Sequence, residues 1–238
     1  MEQFRTDAWC GWMDLCWLQV ERKIDHTQFP TTILHNYTSA NLYVFPKMSR
    51  YILLTGAPGS KWSSVAESLS RSPDIDTSDS TGERIYNNGE VKHKGSYFDP
   101  GMEFENYEEN WDKPFSGTGK RIIKSHTFAH ELTRLATLGH PIVMVYRNHL
   151  ECYDWWVQAG GFDITYPNYD YYGNLEKIKI HIQNQNKDIN KFILDNLNRI
   201  TCPIDNFDLC DVLGIRKPPR RDVIHNYAEK DTKVYVYS

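Results

Sequence analysis

No stretch of this 238-residue chain approaches the roughly 20 apolar residues of a membrane-crossing helix. The first residues, Met1-Glu2-Gln3-Phe4-Arg5, show no secretory core segment. The expectation is a soluble, cytoplasmic protein with no membrane span. Cysteine is scarce: five residues, Cys10, Cys16, Cys152, Cys202 and Cys210, none in a C-x-x-C pair. That argues against a zinc site and for small, partly buried thiols in a reducing compartment. The triplet Asn36-Tyr37-Thr38 fits the glycosylation pattern, which has meaning only on secretion. Neither sign of charge dominates. Lys and Arg number 27 against 31 Asp and Glu, for a net charge of −4. Nonspecific nucleic-acid binding is therefore not expected, and local basic clusters must carry any anion recognition. There is no internal repeat.

What is present is ordinary for a folded protein: 40% hydrophobic and 24% charged residues, in a length suited to one large or two small domains. The stretch that organises the chain runs from Tyr51 to Leu69. Tyr51-Ile52-Leu53-Leu54 is a short apolar run suited to a strand covered on both faces. Gly56 and Gly59 permit a tight turn. Ser63 or Ser64 is a candidate cap for a following helix whose Val65 and Leu69 share one face. Such a turn aims backbone N–H groups and the positive helix end at one spot, which suits a phosphate or sulfate. The spacing from Gly56 to Ser63 is that of a triphosphate-binding loop, but Lys61 stands where its second Gly belongs and Trp62 where its Lys belongs. The alternative is an ordinary strand-to-helix turn with two glycines.

Residues 1–47 read differently from the rest, with Trp9, Trp12, Trp17 and Leu18 as one candidate helix face; the predicted domain spans 48–238 and the earlier part is an appendage. Residues 74–115 are polar and turn-rich with interspersed aromatics (Tyr86, Tyr97, Phe98, Phe104, Tyr107, Trp111), the pattern of a long functional loop that would contact an acceptor. Ile122 and Ile123 predict a strand ending in Lys124-Ser125-His126. Phe128, Leu132, Leu135 and Leu138 repeat at helical spacing up to Gly139. Residues 141–146 predict a second buried strand, ending in Arg147-Asn148, followed by a helix over about 150–159. The longest predicted helix covers 175–200, with Ile178, Ile182, Ile189, Ile193 and Leu197 inward. A short helix at 208–213 stops at Gly214, residues 217–221 form a basic loop, and 234–237 suit a terminal strand.

Strands alternating with helices predict an α/β fold, with a central parallel sheet flanked by helices in three layers. Ligands of such sheets bind beyond the carboxyl ends of the strands. Three polar groups fall there: the loop around Lys61, the triplet ending in His126, and Arg147-Asn148.

At those three places the chain resembles the sulfotransferase family, a P-loop-type fold whose donor is 3′-phosphoadenosine 5′-phosphosulfate. Pro58-Gly59-Ser60-Lys61-Trp62-Ser63-Ser64 is similar to that family's P-K-S-G-T-T-W loop for the 5′-phosphosulfate. Ile123-Lys124-Ser125-His126 is similar to I-K-T-H, and Val145-Tyr146-Arg147-Asn148 to Y-R-N-P. Residues 208–215 are similar to its later F-L-G helix. The chain departs from the pattern where Gly59 follows Pro58 in place of Lys, where His149 replaces Pro, and where Trp155 replaces a Ser. Arg216-Lys217-Pro218 stands in for its Arg-Lys-Gly loop.

The resemblance implies a transferase in which His126 is the general base, while Lys61, with Lys124, balances charge on the leaving phosphate. It places Gly59, Ser60, Lys61, Trp62, Ser63, Ser64 and Arg147 on the donor. It implies no metal, and a small-molecule, sugar or peptide acceptor. Each residue also has a plainer reading: His126 as a structural hydrogen-bonding group, Lys61 and Lys124 as surface lysines, Arg147 in an ion pair, Trp62 in the core. One of the adjacent Trp155 and Trp156 should be buried and the other half-exposed. Two other functions stay open: a nucleotide-dependent phosphotransferase such as a small kinase, and a non-catalytic binding module on the same fold.

Overall fold

The computed structural model describes residues 49–78, 83–85, 91–94, 111–112, 115–158, 174–219 and 231–238. The expected appendage at 1–47, most of the aromatic loop and the tyrosine-rich segment at 166–172 lie outside them. Everything below concerns the unit Phe45–Ser238.

Its centre is a five-stranded sheet. The strands are β1 (Tyr51–Gly56), β4 (Arg121–Lys124), β5 (Ile142–Arg147), β6 (Ile200–Thr201) and β7 (Thr232–Tyr237), in the order β4-β1-β5-β7-β6. Two short strands, β2 (Glu83–Ile85) and β3 (Val91–Lys94), form a separate antiparallel hairpin within the stretch expected to be irregular.

The strands β4, β1 and β5 are parallel. Their near-continuous apolar runs suit burial on both faces, and Ile52, Leu53, Leu54, Ile122, Ile123 and residues 142–145 are all buried. The last strand, β7, corrects the expectation of a parallel sheet. It runs antiparallel to both β5 and β6, so the sheet is mixed. Val234 and Val236 are buried while Lys233 is exposed, an alternation that fits an antiparallel strand as well as a parallel one.

Helix α1 (Trp62–Ser70) packs on β1 and against α5 (Asn206–Val212). Helix α4 (Leu175–Asp195) packs on β1 and β5 together with α2 (Leu132–Ala136), α3 (His149–Gln158) and a 3₁₀ turn at Thr127–His130. At both α4 and α5 a side chain caps the start. Asn174 accepts from the N–H groups of Glu176 and Lys177, and Asp205 from that of Asp208.

Two predicted helices are shorter than expected. The 128–138 pattern splits into the 3₁₀ turn and the five-residue α2, leaving Leu138 exposed. The longest helix stops at Asp195, and residues 200–201 become β6, pairing with β7. Leu197 is therefore outside the helix and exposed. Each of the four buried isoleucines of α4 (Ile178, Ile182, Ile189, Ile193) contributes about 1.5–3 kcal/mol by leaving water. Among the described residues no helix is long and apolar enough to cross a membrane.

Strand order positions the site. The chain leaves β1 for β4 on one side, and leaves β5 for β6 on the other. Ligands of α/β sheets bind outside the carboxyl ends of the strands at such a reversal. The register sets Leu54 beside Lys124 and Gly56 beside Val145, so the residues just beyond these pairs meet at one edge.

Candidate active site at the strand ends

The turn after β1 closes with Ser60 N–H donating to the Ala57 carbonyl at 2.9 Å. Gly59 has φ +81°, and a Cβ on it would lie 1.7 Å from the Cys152 carbonyl oxygen. The turn thus rests directly on the backbone of α3, and only glycine fits. Lys61 has φ 66° and ψ 20°, left-handed backbone at the position where a triphosphate-binding loop carries glycine. It is the residue before α1, so Ser63 and Ser64 lie inside the helix. The expected serine cap is therefore replaced by an uncapped helix start. Uncapped first-turn N–H groups carry the positive end of the helix dipole. The Ser60 hydroxyl beside them is fully buried and has no hydrogen-bond partner among the described residues.

His126 follows β4 and reaches this turn. Its Nδ1 bonds the carbonyl oxygen of Gly56. A carbonyl can only accept, so Nδ1 carries the proton and Nε2 is the basic nitrogen of the neutral ring. The indole of Trp62 packs on the imidazole, with ring centres 4.1 Å apart. His126 is 5% exposed, its ring bonded to the turn and the residue enclosed. Thr55 Oγ1 donates to the Ser125 carbonyl at 2.7 Å, which ties the ends of β1 and β4 together.

Lys124 is fully buried, with Nζ 5.2 Å from the centre of the Trp62 ring. Burial overturns its reading as a surface lysine at a strand end. Lys61 instead lies over the ring of Trp155, at 4.4 Å. Trp155 is 41% exposed and Trp156 is buried, as the adjacent pair was expected to divide.

Arg147 ends β5. It donates to the Gly59 carbonyl at 3.5 Å, to the Glu151 carbonyl at 3.1 Å and to the Glu151 carboxylate at 3.2 Å. The ion pair with a nearby acid, one of its two expected roles, is therefore present. Its Nε is buried without a partner among the described residues. Asn148 accepts from Leu150 N–H at 2.9 Å and so starts α3. Cys152 of α3 donates through sulfur to the Arg147 carbonyl at 3.4 Å. Burial pushes its thiol up to about 12, so it is a packing group and not a nucleophile.

The structure thus gathers His126, Lys124, Trp62, Gly59, Ser60 and Arg147 around the end of β1. It leaves Lys61 on the outer side against Trp155, and Ser63 and Ser64 half-buried in α1. Two contributors escaped the sequence reading, Gln185 and Asn186 of α4. Gln185 donates to the His126 carbonyl at 2.7 Å, and Asn186 to the Arg147 carbonyl at 2.8 Å. The signal was available. They fall three and four residues after Ile182, where the helical period requires an inward residue.

Comparison of the chain with protein-family models, with curated proteins and with solved structures yields no match.

Proposed function

We propose that this protein is a sulfotransferase on a P-loop-type α/β framework, moving a sulfonate from 3′-phosphoadenosine 5′-phosphosulfate to a hydroxyl or amine. The observation that supports this reading is the meeting of three strand ends, joined by the bonds of His126 to the Gly56 carbonyl and Arg147 to the Gly59 carbonyl. In this reading the N–H groups at the start of α1 and the Ser60 hydroxyl hold the 5′-phosphosulfate. Nε2 of His126 takes the acceptor proton as the acceptor oxygen or nitrogen bonds to sulfur. The bond from sulfur to the bridging phosphate oxygen breaks, and the bisphosphate leaves. Lys124 and Lys61 offset the charge growing on that oxygen. Lys61 must leave the Trp155 ring to do so. Arg147, whose carboxylate partner is on the solvent side of α3, is the ligand for the 3′-phosphate. The acceptor is a small molecule, sugar or peptide.

A second reading, a binding module without catalysis, is favoured by the enclosure of His126 and the complete burial of Lys124. Calorimetry separates the two from each other and from a kinase. Binding of adenosine 3′,5′-bisphosphate without Mg²⁺, together with label transfer in an acceptor screen, is the result expected. Bisphosphate binding with no transfer to any acceptor supports the binding module. A preference for Mg-ATP points to phosphoryl transfer, and binding of neither nucleotide sinks the proposal.

A further inference from the structure

Helix α4 is a strongly apolar packer on its inner face, yet its centre is two consecutive buried amides, Gln185 and Asn186. Adjacent residues of a helix point about 100° apart. Side chains at 185 and 186 therefore diverge, one towards the end of β4 and the other towards the end of β5. These strands flank β1, about 10 Å apart across it at the usual strand spacing. Gln185 donates to the carbonyl of His126, which also accepts from Ala129 N–H at 3.2 Å. Asn186 donates to the carbonyl of Arg147, which also accepts from the Cys152 thiol. Each amide uses its NH₂ on the main chain of one site residue.

Each leaves its oxygen without a hydrogen-bond partner among the described residues. A buried, half-satisfied amide is a costly choice for packing alone. Ile182 and Ile189, one turn away on either side, show what packing alone selects on this face. The expense is concentrated on the two carbonyls that belong to His126 and Arg147.

We propose that Gln185 and Asn186 are positioning residues: side by side on α4, they set the spacing and orientation of His126 and Arg147 across the end of β1. Gln185 holds the backbone from which the imidazole reaches the Gly56 carbonyl, and so fixes the Nδ1–H form of the ring. Asn186 holds the turn at which Arg147 leaves β5, and so keeps the guanidinium over Gly59. The catalytic consequence rests on the sulfotransferase reading; the geometric claim does not.

The test uses the full chain with Gln185→Met and Asn186→Leu, near-isosteric changes that remove only the amides. An Ile189→Val control loosens the same helix face and touches neither carbonyl. Nitrogen-15 spectra of the histidine side chains report the tautomer. The wild type and the control should show His126 with Nδ1 protonated, and Gln185→Met should shift it towards the Nε2–H form that free histidine prefers. The Arg147 Nε–H should exchange with solvent at least tenfold faster in Asn186→Leu than in the wild type. If Gln185→Met does not fold, Gln185→Asn keeps the amide but shortens its reach, and should show the same tautomer shift. Unchanged tautomer and exchange in folded variants overturn the proposal, as does an equal response in Ile189→Val. Affinity for adenosine 3′,5′-bisphosphate is read alongside. Absence of binding in the wild type counts against the donor reading alone, because the tautomer and exchange signals need no ligand.

Discussion

The imidazole of His126 is bonded through Nδ1 to the carbonyl oxygen of Gly56, 70 positions earlier in the chain. That bond joins the end of β4 to the mouth of the glycine turn and orients the basic nitrogen. In the proposed mechanism His126→Ala removes the base and leaves the turn. Transfer should fall by about 10²–10⁴-fold, while bisphosphate affinity, measured by calorimetry, changes less than about threefold if binding and proton transfer are separate tasks. Undiminished turnover would remove His126 from the mechanism.

Gly59→Ala combines left-handed backbone with a collision against the Cys152 carbonyl. Strain and overpacking together should cost about 2–4 kcal/mol, read as a lower urea midpoint. Bisphosphate affinity should fall with it, because the loop must lift off α3.

Lys61→Gly is predicted to act in the opposite direction on stability. The lysine occupies left-handed backbone, so glycine relieves strain of about 1 kcal/mol and should raise the melting temperature. The same change deletes the ammonium that the proposed mechanism brings from the Trp155 ring to the donor, so bisphosphate affinity should drop. A gain in both would show that Lys61 has no part in binding.

His181 of α4 gives the protein a pH dependence in the mildly acidic range. Burial, with repulsion from His130, pushes its imidazole down to about 4. An unfolded histidine titrates near 6.5. The unfolded chain therefore binds the extra proton first, and stability is complete above about pH 6.5 and declines as pH falls towards 4. At 1.36 kcal/mol per unit the loss reaches about 3 kcal/mol. Urea melts at stepped pH should show this slope, and His181→Gln should flatten it.

The carboxylate of Asp76, paired with Arg121, adds a second loss of stability in acid. Arg121 is buried against Asp76 at 3.5 Å and also bonds Asp112. Burial raises the Asp76 carboxyl, but hydrogen bonds from Ser78 and the charge of Arg121 outweigh it, and the net direction is down. A lowered carboxylate contributes stability above its unfolded value of about 3.9, and that contribution is lost as pH falls through the folded value. Arg121→Met strands the buried charge and should cost about 3–5 kcal/mol at pH 7. The difference from wild type should shrink as acid protonates Asp76.

Much of this architecture was readable in one dimension. Apolar runs at residues 51–54 and 141–146 needed no partner to be identified as buried strands, and the glycine turn after β1 declared a tight bend. The polar residues ending those strands were legible as candidates because α/β sheets bind ligands at that edge. The side-chain outcome was less legible. Lys124 was legible either as a charge-balancing group or as a surface lysine, and its complete burial near the Trp62 ring of α1 excludes the second. Of the two roles expected of Arg147, the ion pair is seen, with Glu151 one helical turn along.

Local pattern, acting over a few residues, determined the strands of the parallel core, the turn and the inward stripe of α4. Only the tertiary structure decided the direction of β7, the end of α4 at Asp195, the enclosure of His126, and the use of Gln185 and Asn186 as props for two distant carbonyls. The physical reason is range. Hydrophobic period and backbone freedom are properties of neighbouring residues, whereas strand direction and the pairing of buried amides depend on groups that meet only when the sheet closes.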